Sequence, residues 1–193
     1  MALAFLTACG ENDTPVPTPL RVEIFENLPA PQTGGMGQPV GGPFTRFSFS
    51  AGDIVNNDEW DIAFRGTTIL LNGGDEIGIS DEPTRTGNAA LSIVAGLFEE
   101  VQAIPDAVTF QQDGPNAYAL PTGNGNGWYN YDPIQNLITP IAGKVFVVRT
   151  HDGKYAKFEI LSYYQNAPNP PDPTAPSRYY TFKYVYQPIG TSF

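Results

Sequence analysis

One cysteine, one histidine and two methionines are spread over 193 residues, and each shortage closes off chemistry. A lone Cys9 forbids an intrachain disulfide, so stability has to come from burial and from sheet hydrogen bonds. With Cys9 and His151 as the only thiol and imidazole, a structural zinc site lacks its usual ligands. The same scarcity leaves no Cys–His pair and a Ser–His–Asp arrangement only through a histidine in a turn. Basic residues number 10 against 20 acidic ones, for a net charge of -10, which repels nucleic acid and anionic membrane surfaces. No run after the N-terminus approaches the roughly 20 apolar residues of a membrane-spanning helix.

Charged residues of all kinds make up only 16 %, whereas 12 % are aromatic and glycine (20) and proline (19) are abundant without period. Charge-poor, turn-rich and aromatic-rich composition points to a folded all-β protein with room for one good core. Charge is uneven along the chain. Residues 1–140 hold 17 acidic and 4 basic side chains, and residues 141–193 hold 3 acidic and 6 basic. That C-terminal excess either complements a carboxylate-bearing ligand or marks lysines on strand faces and edges.

The N-terminus runs Leu6-Thr7-Ala8-Cys9, small residues after an apolar stretch, and then a tether rich in Pro and Thr. This order resembles the lipobox of bacterial lipoproteins, in which the chain is cut before the cysteine and its thiol is lipidated. Several acyl chains are needed for firm anchoring. Only eight residues precede Cys9 and none is basic, short of the n-region and h-region of an export signal. The true start is therefore expected upstream. The division that follows is a truncated signal with lipobox at 1–9, a tether at 10–20, a β domain at 21–187 and a C-terminal tail at 188–193.

Alternation predicts a first strand over 21–28, a second over 44–49, and a third over 58–66 in which Trp60, Ile62 and Phe64 face one way and Asp61 and Arg65 the other. A run over 67–71 ends at Asn72-Gly73-Gly74, a turn signal. Residues 75–87 are acidic and turn-rich and read as a surface loop. Residues 89–97 fit strand or helix, with Ile93, Val94 and Gly96 favouring strand, and 98–101 reads as one helical turn. After a loop over 111–127 comes a short aromatic strand, Trp128 to Tyr131. The runs 144–150 and 155–164 are joined by His151-Asp152-Gly153-Lys154, where Asp-Gly suits a tight hairpin. With a last strand over 178–186 they form an antiparallel meander.

Four segments together resemble the HmuY-like family of haem-capturing surface lipoproteins. They are Phe47-Ser48-Phe49-Ser50-Ala51-Gly52-Asp53-Ile54-Val55, then Trp60-Asp61-Ile62-Ala63-Phe64, the hairpin from Val145 through Asp152-Gly153 to Lys157, and Thr181-Phe182-Lys183-Tyr184-Val185-Tyr186. The resemblance covers about residues 21–187. It implies a single antiparallel β domain with long loops and at most one short helix, on the outer membrane facing the cell surface. It also implies a non-enzymatic binder that takes up haem and passes it to an outer-membrane transporter. The family's haem-binding pattern uses two histidines, and some relatives use methionine. One histidine follows the tryptophan of the segment resembling Gly127-Trp128, where this chain has Asp132-Pro133. The other precedes it, in a segment shortened here to 111–127.

The residues available to a ligand are few. Axial ligation of haem needs imidazole, thioether or phenolate. Met36, in Gly34-Gly35-Met36-Gly37, is a candidate iron ligand on a bendable loop. Trp128, Tyr129 and Tyr131 are candidates for one wall of a pocket, with either tyrosine as ligand or stacking surface. His151 is the lesser candidate, since a histidine in a hairpin turn is ordinarily solvated. The expected ligand is haem or another flat apolar molecule held without paired histidines. The alternative is a surface module for glycans or a transporter partner, suited by aromatics beside the Gly- and Asn-rich run 123–131. The acidic pairs Asp75/Glu76, Asp81/Glu82 and Glu99/Glu100 read as solvated rather than as glycosidase carboxylates.

Overall fold

The computed structural model describes residues 20–35 and 37–193. Cys9, the tether up to residue 19 and Met36 lie outside the described residues. The strands are β1 (Glu23–Pro29), β2 (Thr33–Gly35), β3 (Gln38–Gly41), β4 (Thr45–Ser48), β5 (Asp53–Ile54), β6 (Ile62–Arg65), β7 (Thr68–Leu71), β8 (Ala90–Ala95), β9 (Tyr129–Asp132), β10 (Leu137–Pro140), β11 (Lys144–Arg149), β12 (Tyr155–Tyr164) and β13 (Ser177–Gln187). A single 3-10 turn, Ala107–Thr109, is the one helical element among the described residues. The chain is all-β and its sheets are antiparallel. A five-stranded sheet in the order β1-β13-β12-β11-β8 faces a four-stranded sheet in the order β5-β4-β6-β7, and the hairpins β9–β10 and β2–β3 stand apart.

Aromatic residues on the inner faces interlock between the two sheets. Phe47 of β4 meets Phe182 of β13 edge-on with centroids 5.1 Å apart, and Phe64 of β6 meets Tyr180 at 4.8 Å. Rings in such tilted and edge-on pairs contribute about 0.5–1.5 kcal/mol each beyond their buried area. The unbroken apolar run of β11 follows from burial on both faces. Phe146 and Val148 enter the main core, while Val145 and Val147 join Val185, Phe98 and Val101 in a second core on the outer face of the large sheet. The last residues close that second core, where the Phe193 amide donates to the Gln102 carbonyl at 2.7 Å.

Several polar residues are buried where alternation alone predicts solvent. In β6, Ile62 and Phe64 face the core as expected, but Ala63 and Arg65 are buried as well. Arg65 donates to the Gly42 and Ser80 carbonyls and lies over the Phe44 ring, so the loops at 42–44 and 75–87 cover this outer face. The segment 75–87 is thus a covering loop. Its Arg85 side chain, 4 % exposed, bridges Glu82 at 2.7 Å and Asp113 at 3.2 Å. Glu82, read from sequence as solvated, is therefore part of a buried ion triad. Lys157 is not on an exposed strand face. It is buried, donates to the carbonyls of Phe98 (2.9 Å) and Val101 (2.7 Å), and sits against the Phe98 ring. Desolvation lowers its pKa below the ordinary lysine value.

Candidate functional site

The short hairpin β9–β10 leans on the far end of β12. The Ile138 amide donates to the Tyr164 hydroxyl at 2.9 Å, which ties β10 to that end. The turn between β9 and β10 is closed by Asp132, whose carboxylate accepts from the amides of Ile134 (2.8 Å) and Gln135 (3.2 Å). Asn124 of the glycine-rich loop accepts from the Tyr131 amide at 2.8 Å and so fastens that loop along β9. Gly127 is required for the entry to β9, because a Cβ there would run into the Pro121 carbonyl.

Alternation along β9 places Tyr129 and Tyr131 on one face. Tyr131, 38 % exposed, lines a cleft of about 290 Å³ and donates its hydroxyl to Asn136 at 3.1 Å. Tyr163 and Tyr164 from the end of β12 also line it, with Ile138 and Ala175 adding apolar surface. Gln32, Thr67, Asn136 and Ser177 supply polar groups, and among the described residues Arg178 is the one formally charged residue on the lining. The cleft is at the small end of the range for ligand sites, about 300–1,000 Å³.

Trp128 is not a wall of this cleft. It is 2 % exposed, donates its indole N–H to the Thr67 carbonyl at 2.9 Å, and packs on Tyr129, Tyr163 and Tyr180 with centroids 4.8, 5.5 and 5.1 Å apart. The ring backs Tyr163 of the cleft lining. Burial pushes the Tyr163 hydroxyl well above the ordinary tyrosine range, against the pull of the neighbouring Arg178 charge. Tyr180, fully buried, is raised for the same reason and donates to the Gly66 carbonyl at 2.9 Å.

His151 lies elsewhere. It precedes β12, whereas the cleft is at the strand's far end, about 30 Å away at roughly 3.3 Å per residue. It is also not a solvated turn residue. Its Nδ1 is 2.8 Å from a carboxylate oxygen of Asp61, and its backbone amide donates to the same oxygen at 2.8 Å. Asp61 is fully buried and accepts a third bond from the Phe49 amide at 2.7 Å. Burial raises the Asp61 carboxyl above its usual range, while the His151 and Phe49 bonds oppose the shift. Of the sequence candidates, the structure thus places Tyr131 on the cleft, packs Trp128 and Tyr129 against each other off its lining, and leaves His151 apart. Reading the sequence alone misses Tyr163, Tyr164 and Arg178, because they come from strand ends whose convergence no local pattern encodes.

Two facing antiparallel sheets with an aromatic cleft at one end define an all-β protein of the HmuY-like fold. The chain belongs to the HmuY family: the family described as HmuY protein matches residues 44–184. Two solved structures share the fold. A protein of Bacteroides vulgatus ATCC 8482, described as an HmuY-like heme binding protein, is 14 % identical with a TM-score of 0.50, covering 89 % of this chain and 93 % of its own. The apo HmuY analog of Tannerella forsythia is 14 % identical with a TM-score of 0.53, covering 92 % of this chain and 100 % of its own. No curated protein matches the sequence.

Proposed function

We propose that this protein is a non-enzymatic capture protein, anchored in the outer membrane through lipid on Cys9 and displayed at the cell surface. It holds haem, a porphyrin or another flat apolar ligand in the cleft between β9–β10 and the end of β12. It then yields that ligand to an outer-membrane transporter. The observation that carries this reading is the convergence of Tyr131, Tyr163 and Tyr164 on one cavity, backed by Trp128, in a chain of the HmuY family. The solved relative described as heme binding supports it by analogy. Fold alone does not fix a ligand, so the cleft's chemistry has to.

Ligation of iron here does not run through His151, which is committed to Asp61 at the other end of β12. Tyr131 is the phenol on the lining that reaches solvent, and a phenolate is an established axial donor. Met36 is the thioether donor retained in the proposal. A second reading, glycan binding, is favoured by one specific feature. Gln32, Asn136, Ser177 and the Tyr131 hydroxyl give the cleft a hydrogen-bonding rim beside an aromatic face.

The test is a titration of the Cys9→Ser protein with ferric and ferrous haem, reading the Soret band and tryptophan fluorescence. Capture gives a saturable shift at one equivalent with quenching of Trp128. Tyr131→Phe or Met36→Ala then alters the band, and His151→Ala leaves it unchanged. An intact fold with neither shift nor quenching rejects haem and directs the search to glycans.

A further inference from the structure

Among the described residues that line the cleft, one carries formal charge, and it is a cation in a chain of net charge -10. Arg178 makes none of the salt bridges found among the described residues. Its position is nevertheless built with care. The pairing of β12 with β13 slips between Ser162↔Thr181 and Tyr164↔Ser177, so Arg178, Tyr179 and Tyr180 stand opposite Tyr163 alone. Arg178 occupies this bulge with φ of 70°, a left-handed conformation that is an outlier for a long side chain. Bulges of this kind re-aim side chains and are frequent beside functional sites.

Backbone and side-chain contacts hold the strained residue. The Ala30 amide donates to the Arg178 carbonyl at 2.8 Å, and the Arg178 Nη1 donates to the Gln32 carbonyl at 2.9 Å. That second bond and a side-chain bond to the Tyr163 hydroxyl use only part of the guanidinium's five N–H donors, and among the described residues no carboxylate lines the cleft. A backbone outlier that places a cation without a carboxylate partner, among the described residues, on an aromatic cavity has a chemical reading, because strained residues cluster at ligand clamps and active sites. A guanidinium recognises a planar carboxylate with paired, charge-assisted bonds.

We propose that Arg178 is an anion anchor and that the cleft takes ligands bearing a carboxylate, the apolar body lying against Tyr131 and Tyr164 and the acid group on the guanidinium. The inference rests on the cleft being the ligand site. It also gives a role to part of the basic excess in residues 141–193.

The experiment compares two probes that share one ring system, protoporphyrin IX and its dimethyl ester, on the full protein and on Arg178→Gln and Arg178→Lys. Every variant keeps a side chain at residue 178, so the backbone strain is common to all, and thermal melting checks that each is folded. The free acid is expected to bind about 10- to 100-fold more tightly than the ester, the worth of one charged hydrogen-bonded pair. The preference falls to near unity in Arg178→Gln and is partly kept in Arg178→Lys. Equal binding of acid and ester, or a preference that survives in Arg178→Gln, overturns the anchor while the flat-ligand reading stands. If neither porphyrin binds, the flat-ligand reading fails, and the anchor is judged on oligogalacturonate against neutral galactose oligomers. A preference for the uronate lost in Arg178→Gln upholds it, and no such preference overturns it.

Discussion

Asp61 shows how much one buried carboxylate can organise. It joins the turn after β4, through the Phe49 amide, to the β11–β12 turn, through His151. Asp61→Ala strands two buried amides at once and is expected to cost about 3 kcal/mol of stability. His151→Ala removes one of the three bonds and leaves the backbone contact, so about 1–2 kcal/mol is expected. Denaturant unfolding of the two variants checks the order, and equal losses would mean the imidazole carries the whole junction. From the sequence the histidine is visible but its partner is not, since 90 residues separate them.

At the scale of elements, the long covering loops behave as parts of the fold. Arg85 pins the 75–87 loop against Asp113, whose carboxylate also accepts from the Leu71 amide at 2.9 Å and the Ala119 amide at 2.9 Å. Arg85→Ala leaves Glu82 and Asp113 buried without their cation, and a loss of about 3–5 kcal/mol is expected. Hydrogen exchange should show the Leu71 and Ala119 amides opening in that variant. If their protection is unchanged, the triad is not what holds the loop. The strands themselves were legible: the hairpin, the meander and the aromatic β9 all follow from alternation and turn residues. The β2–β3 hairpin, in a proline- and glycine-rich segment, was not, and neither was β10, because Leu137-Ile138-Thr139-Pro140 is too short and too close to two prolines to stand out. Its place is set by the Tyr164 hydroxyl.

Across the whole molecule, the tyrosine-rich core sets an alkaline limit. Burial raises the hydroxyl pKa of Tyr163 and Tyr180, and to a lesser burial also those of Tyr184 and Tyr186. Below the unfolded value of 10.0 both states are protonated and the contribution is complete. Above it the unfolded chain sheds protons that the fold keeps, so stability falls as pH rises. Each such tyrosine adds a slope of about 1.4 kcal/mol per pH unit. Urea unfolding across this range should show the decline, and Tyr163→Phe should make it shallower. Phenolate absorbance that develops fully before unfolding would show that these hydroxyls are not shielded.

Composition and alternation by themselves determined the all-β class, the meander and the absence of paired histidines, because strand periodicity and residue inventory are local properties. They also placed the aromatic strand that carries Tyr129 and Tyr131. Only the tertiary structure decided that Trp128 backs the cleft instead of lining it, that Asp61 captures His151, and that Arg178 is aimed at the tyrosines by a bulge. Those outcomes depend on which strand ends meet across the sheets, and register between distant segments is set by the packing of the whole core.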